Sequence, residues 1–217
     1  YVHDVNGAEE PGLGEGAGII WRSRGAGVAT RFEKLLIEHC RVEDCGRNGI
    51  MSLNEFADRT RWFAHVDIVI RENDVTGVVG DGIRLTGSAN AIVEYNRIHK
   101  AGGGKDGQAG GIVLTGCDNT LVQYNEVWET AGAKNAALLS DTNNRDNTFQ
   151  YNYTHNNAGP MARVRSAALA GSGEKPAVDA GNAGSAVRYN ISQDDGGALN
   201  VIGPVREARF HNDTIYN

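Results

Sequence analysis

The 217 residues carry 27 acidic and 21 basic side chains, a formal net charge of −6, with 40% hydrophobic and 22% charged residues. This composition is globular and not disordered, and the acidic surplus lacks the basic surface that phosphate binding requires, so nucleic acid is not an expected partner. No apolar run approaches the roughly 18 residues of a membrane span, and no leader segment is legible.

Along the chain one pattern recurs: β-formers, two residues, Asn, one residue, an apolar residue. The first copy is Leu35-Leu36-Ile37-Glu38-His39-Cys40-Arg41-Val42, with Cys at the Asn position. It returns as Ile68-Val69-Ile70-Arg71-Glu72-Asn73-Asp74-Val75, then Ala91-Ile92-Val93-Glu94-Tyr95-Asn96-Arg97-Ile98, then Leu121-Val122-Gln123-Tyr124-Asn125-Glu126-Val127. Later copies are Thr148-Phe149-Gln150-Tyr151-Asn152-Tyr153-Thr154, Ala186-Val187-Arg188-Tyr189-Asn190-Ile191 and Ala208-Arg209-Phe210-His211-Asn212-Asp213-Thr214. Between copies, Gly leads an apolar run: Gly18-Ile19-Ile20-Trp21, Gly49-Ile50-Met51, Gly82-Ile83-Arg84-Leu85 and Gly111-Ile112-Val113-Leu114, with weaker versions at Gly159-Pro160-Met161 and Gly197-Ala198-Leu199.

The marker positions from Cys40 to Asn212 are separated by 33, 23, 29, 27, 38 and 22 residues. Propeller blades and helical repeats need longer or more uniform periods. A coil of roughly 22 residues with three short strands fits, longer coils carrying insertions, and the period-two alternation of the segments marks them as strands. The Asn is expected to turn the chain in the left-handed conformation and to bond its counterpart in the next coil, forming a ladder headed by Cys40. The Gly is expected to supply a turn. One domain, 1–217, of about seven to eight coils follows. Both ends look abrupt: Tyr1-Val2-His3-Asp4-Val5 resembles the stretch after a ladder Asn, and the coil begun at Asn212 is incomplete. An internal piece of a longer protein is the expectation.

These repeats resemble the right-handed parallel β-helix shared by pectate lyases, polygalacturonases and several glycoside hydrolases. The resemblance implies an all-β solenoid, secreted or at the cell surface or periplasm, that acts on a polysaccharide or oligosaccharide. It does not fix the reaction, since one scaffold hosts many chemistries.

Carboxylates beside the Gly-led strands are the candidate catalytic groups: Asp81, Asp141, Asp194 and Asp195. Asp141 lies two coils from Asp194 and Asp195, roughly 9.6 Å along the axis at the spacing of stacked strands, near the separation of an inverting glycosidase pair. A one-residue slip would turn Asp141 inward. Arg84, Arg163 and Arg165 alternate with apolar neighbours and should point outward to hold substrate. With Lys105 and His155 they also offer the base that a lyase needs, and Trp62 is the best placed of the tryptophans to stack on a sugar. Insertions at 54–65, 102–108 and 163–183, around Trp62, Lys105 and Lys175, should wall the groove. Hydrolysis by a carboxylate pair comes first, β-elimination on a uronate polymer second, and a non-catalytic binding or adhesin β-helix third. No metal site or cofactor is expected; Ca²⁺ enters only with the lyase reading, and no dense acidic cluster of the sort it needs is present. A Cys40–Cys117 bridge is left open, and the sequons at Asn152, Asn190 and Asn212 coincide with buried ladder positions.

Overall fold

The computed structural model describes residues 1–6, 16–24, 27–57, 59–104, 109–166 and 181–216. Asp58, Lys105 and Lys175, with most of the two loops expected around the lysines, lie outside the described residues. Most of the described strands fall into three all-parallel columns of eight, seven and seven, with two further two-stranded parallel pairs, His65–Val66 with Ser88–Ala89 and Asn182–Ala183 with Val205–Arg206. The first sheet runs from Val2–His3 through Arg41–Glu43, Asp74–Thr76, Arg97–His99, Glu126–Trp128, Tyr153–His155 and Ile191–Gln193 to Thr214–Tyr216. The second runs from Leu36–Glu38 to Arg209–His211, and the third from Ile19–Ser23 to Gly197–Ile202. Each turn of chain contributes one strand to each column, which is the expected parallel β-helix.

Register is set by apolar side chains stacking on their counterparts. Ile37, Ile70, Val93, Val122, Phe149 and Val187 form one interior row of the second sheet; Val42, Val75, Ile98 and Val127 form one of the first. Further down the first sheet the same row is filled by Thr154 and Ser192, so the core becomes hydroxylic toward its last coils. Those hydroxyls need a buried acceptor, and Asp195 supplies it.

The asparagine column forms as expected, from Cys40 through Asn73, Asn96, Asn125 and Asn152 to Asn190. The Asn125 backbone N–H and Nδ2 both donate to Asn152 Oδ1, at 3.1 and 3.0 Å. Its Oδ1 accepts the same pair of bonds from Asn96, each at 3.0 Å. Nδ2 also reaches back to the Val93 carbonyl, 2.9 Å away. The conformational role differs from expectation. The left-handed residue is the one before the ladder: Glu72, Tyr95, Tyr124, Tyr151 and Tyr189, with φ of 54 to 57°. The asparagine is needed for its amide, not for its backbone. Left-handed tyrosine costs about 1–2 kcal/mol, and the rings offset part of this by stacking along the axis at 5.0, 5.3 and 5.3 Å, each pair contributing about 0.5–1.5 kcal/mol. At the last coil Asn212 itself takes the left-handed position, φ 62°, and Asp213 Oδ1 receives the Asn190 bonds. The final marker therefore shifts by one residue. Asn152 and Asn190 are buried, but Asn212 is exposed, contrary to a buried reading of all three sequons.

The glycines that lead the third-sheet strands also act differently from expectation. Gly49, Gly82 and Gly111 are not left-handed. A Cβ at Gly111 would collide with Val127 Cγ1 and lie 2.6 Å from the Ala137 carbonyl oxygen. They let the third sheet close against the interior row of the first, a packing need and not a turn need. All three cysteines are free, so Cys40 and Cys117 do not pair; burial pushes the Cys117 thiol up to about 12.

Candidate functional site

The third sheet alternates between an interior set and an outer set of side chains. Ile50, Ile83, Ile112, Leu138 and Ala162 belong to the core cluster, as do Leu85, Leu114 and Val164. The residues between them do not, and they align in two outer rows. One contains Ile20, Met51, Arg84, Val113, Leu139, Arg163 and Asn200, of which Met51, Val113, Leu139 and Arg163 are themselves buried. The other includes Thr86 and Thr115, with Arg165 following Val164. Ser140 pairs with Leu114 and Val164, and its hydroxyl meets Ser185 inside, 3.1 Å away. Asp141, the next residue, therefore points out.

Two ion pairs lie on this face. Arg84 Nη1 donates to Asp81 Oδ2 at 2.8 Å, and the Gly110 N–H donates to Asp81 Oδ1 at 2.7 Å. Arg165 grips Asp141 through both oxygens, Nε to Oδ1 at 2.7 Å and Nη2 to Oδ2 at 3.0 Å. The Asp141 hydrogen bond holds the Arg165 guanidinium above its ordinary pKa against the opposing effect of burial, with further Coulombic support from Asp141 and from Asp81. One guanidinium thus feels both carboxylates. Arg163, only 8% exposed, donates Nη1 to the Lys134 carbonyl, while its Nε–H is buried without a partner. Burial first, and Arg165 second, lower its pKa.

The Trp62 insertion flanks this face at the turns that follow the third-sheet strands. Ala57 packs over Gly87 and Gly116, and Trp62 Nε1 donates to the Gly116 carbonyl at 3.3 Å. The anchor, Arg59, was not singled out in the sequence. It pairs with Asp118 through two bonds of 2.9 and 2.6 Å and lies 4.9 Å from the Trp62 ring centre. A second support missed in the sequence is Asn182. Its Nδ2 bonds the Asp141 carbonyl and Ser140 Oγ, both at 2.8 Å, and Asn144 Nδ2 bonds the same Asp141 carbonyl at 2.9 Å. Buried amides flanking a serine in the last third of the chain were the only signal available.

Other candidates lie elsewhere. Asp195 is buried and closes a second turn column. Its Oδ1 accepts from the Asn157 backbone at 3.1 Å and side chain at 2.7 Å; its Oδ2 accepts from Thr154 at 2.5 Å and Ser192 at 2.7 Å. Asp194, left-handed at φ 52°, is exposed. His155 belongs to the outer face of the first sheet, in a stack with Trp128 at 5.6 Å and Trp128 with His99 at 4.5 Å. Among the described residues no group of three or more His, Cys, Asp or Glu is placed to hold a metal ion, and no helix is long and apolar enough to cross a membrane.

Comparison with solved structures finds a GH136 lacto-N-biosidase from Eubacterium ramulus, as native protein and as selenomethionine derivative. Both align with a TM-score of 0.64, at 21% and 22% identity, over 87% of this chain. The chain spans 36% of the length of those structures, and at this identity the likeness is one of fold. Among curated protein sequences there is no match. The family described as "Right handed beta helix region" matches residues 17–215, nearly the whole coil stack built above, so the chain belongs to the right-handed β-helix family.

Proposed function

We propose that the outer face of the third sheet binds a polysaccharide or oligosaccharide outside the cell, and that the protein hydrolyses its glycosidic bonds with Asp141 and Asp81 as the carboxylate pair. The observation that carries this reading is that two aspartates, each held by an arginine, share one face of one sheet within the field of Arg165. The fold it shares with a structure named as a lacto-N-biosidase supports a glycoside substrate. Asp81 takes the partner role foreseen for Asp194 or Asp195, because all the hydrogen bonds of Asp195 are spent inside the coil. Asp81 precedes its third-sheet strand and Asp141 follows the strand two coils on, in register with Thr86, so the two are offset along the strands as well as by roughly 9.6 Å along the axis. The roughly 6.5–9.5 Å that leaves room for a water and inverts the anomeric centre requires both side chains to lean toward each other across the face. Asp141, in its bidentate grip, suits the base that activates water. Asp81 shares Arg84 with Thr115 Oγ1, 3.5 Å away, and suits the acid once substrate draws that arginine off.

The test is reducing-end release by the full-length protein from a panel of neutral and acidic polysaccharides. Asp141→Asn and Asp81→Asn should each lower kcat by about a hundredfold or more, with an inverted product. Wild-type rates in either variant would refute the pair. Products that absorb in the ultraviolet would instead establish β-elimination and refute hydrolysis.

A further inference from the structure

Arg84 and Arg163 occupy the same outer row, three coils apart, linked through Val113 and Leu139. Arg84 finds its counter-ion three residues back, at Asp81. Three residues before Arg163 stands Pro160, which offers no carboxylate. The charge that acts on Arg163 is another guanidinium, that of Arg165, already engaged by Asp141. Arg84 and Arg165 on this face are thus each matched by a carboxylate, and Arg163, the most deeply buried of the three, is not. A buried charge without a partner is strongly unfavourable, and a buried N–H donor without an acceptor adds to that cost. Both are removed together if an anion arrives. We infer that Arg163 is the docking point for an anionic substituent, a carboxylate or a sulfate, carried by the bound saccharide.

The geometry suits that role. A guanidinium presents paired N–H groups that match the two oxygens of a carboxylate or sulfate. The Lys134 carbonyl holds Nη1 and leaves Nε without an acceptor. Arg165, with about a third of its side chain exposed, stands beside it at the open side. The anion would sit next to Arg165 and Asp141, and so would place the sugar ring against the proposed catalytic carboxylate. The inference rests on the saccharide-binding reading of this face and adds the charge of the substrate to it.

The probes are an oligogalacturonate, its methyl ester, a sulfated chondroitin oligosaccharide, its desulfated form and a neutral oligosaccharide, titrated calorimetrically against the full-length protein. Wild type should prefer one acidic probe over its neutralised partner by roughly tenfold to a hundredfold, the value of one charge-assisted pair. Loss on esterification identifies a carboxylate; loss on desulfation identifies a sulfate. Arg163→Gln should abolish the preference without weakening the neutral probe, and Arg163→Lys should restore part of it. Equal binding of each acidic probe and its neutralised partner by the wild type overturns the inference without needing any variant. An acidic preference that survives in Arg163→Gln overturns it as well. Asp141-dependent cleavage by a wild type that binds each acidic probe and its neutralised partner equally removes this inference alone and leaves the hydrolase reading standing.

Discussion

Replacing Asn125 by Ala removes the centre of the ladder, and the cost follows from the atoms left behind. The Asn96 N–H loses its acceptor, Asn125 Oδ1. The Asn96 Nδ2 keeps only its bond to the Ile70 carbonyl. The Val93 carbonyl loses the Nδ2 donor, while Asn152 Oδ1 still receives the backbone N–H of residue 125. The Val93 carbonyl keeps the strand bond of the parallel pair, so one buried group, the Asn96 N–H, is orphaned outright and two others are part satisfied. At about 1–3 kcal/mol for a buried group left unpaired, the loss should be at least about 1–3 kcal/mol. The same change at Asn190 should cost less, because its acceptor Asp213 lies in a part-buried position near solvent. Urea denaturation followed by circular dichroism reads both values. Hydrogen exchange should show protection lost first in the coils of Asn96 and Asn125, since each coil of a solenoid leans only on its neighbours. A loss below about 1 kcal/mol for Asn125→Ala, or equal losses at the two sites, would refute the ladder as a source of stability.

Two further outcomes are expected. His65 is buried; its Nδ1 accepts the Phe32 N–H at 3.1 Å, and burial lowers its pKa below 6.5. The neutral ring is the folded form, so its contribution is intact above about pH 6.5 and is lost as pH falls through the lowered folded value; the Tm of wild type should drop over that window more steeply than that of His65→Asn, and parallel curves would refute the assignment. Arg59→Gln leaves Asp118 part-buried without its cation, so a loss of about 3–5 kcal/mol is expected, with faster proteolysis in the 55–64 insertion; unchanged cleavage there would show that Arg59 does not anchor the loop.

The coil stack was legible because periodicity survives without knowing any contact. Val, Ile and Tyr at fixed offsets from Asn73, Asn96 and Asn125 declare both strands and register. What periodicity could not reveal was cause. Gly111 and Asn96 each mark a corner, and a corner suggests backbone freedom. The glycine is there for a neighbour's methyl group, and the asparagine for two carbonyl oxygens in adjacent coils. Both causes are distances between coils, which no single repeat contains. The same gap explains the slip at Asn212. Where Asn and Asp stand side by side, either can serve as the acceptor, and only the stacking of His211 on Arg188 decides between them.

The site divides along the same line. The outward setting of Arg84, Arg163 and Arg165 was legible because outward positions on a strand follow from alternation, whereas the side taken by Asp141, which closes its strand, hung on register. Asp195 shares with Asp81 the pattern of an acid before glycine, but the pattern does not say which side of the coil the acid faces. Two hydroxyls, Thr154 and Ser192, standing where earlier coils have valine or isoleucine, turn it inward. Arg84 and Arg163 pose the converse case: alternation treats them alike, yet one is neutralised and the other is not. The difference is the residue three places back, Asp81 against Pro160, and it acquires meaning only when the two strands are aligned through the coils between them. Charge balance on a solenoid face is therefore a property of rows, not of strands. A row that holds an unmatched buried cation is the place where a ligand's charge is the missing term.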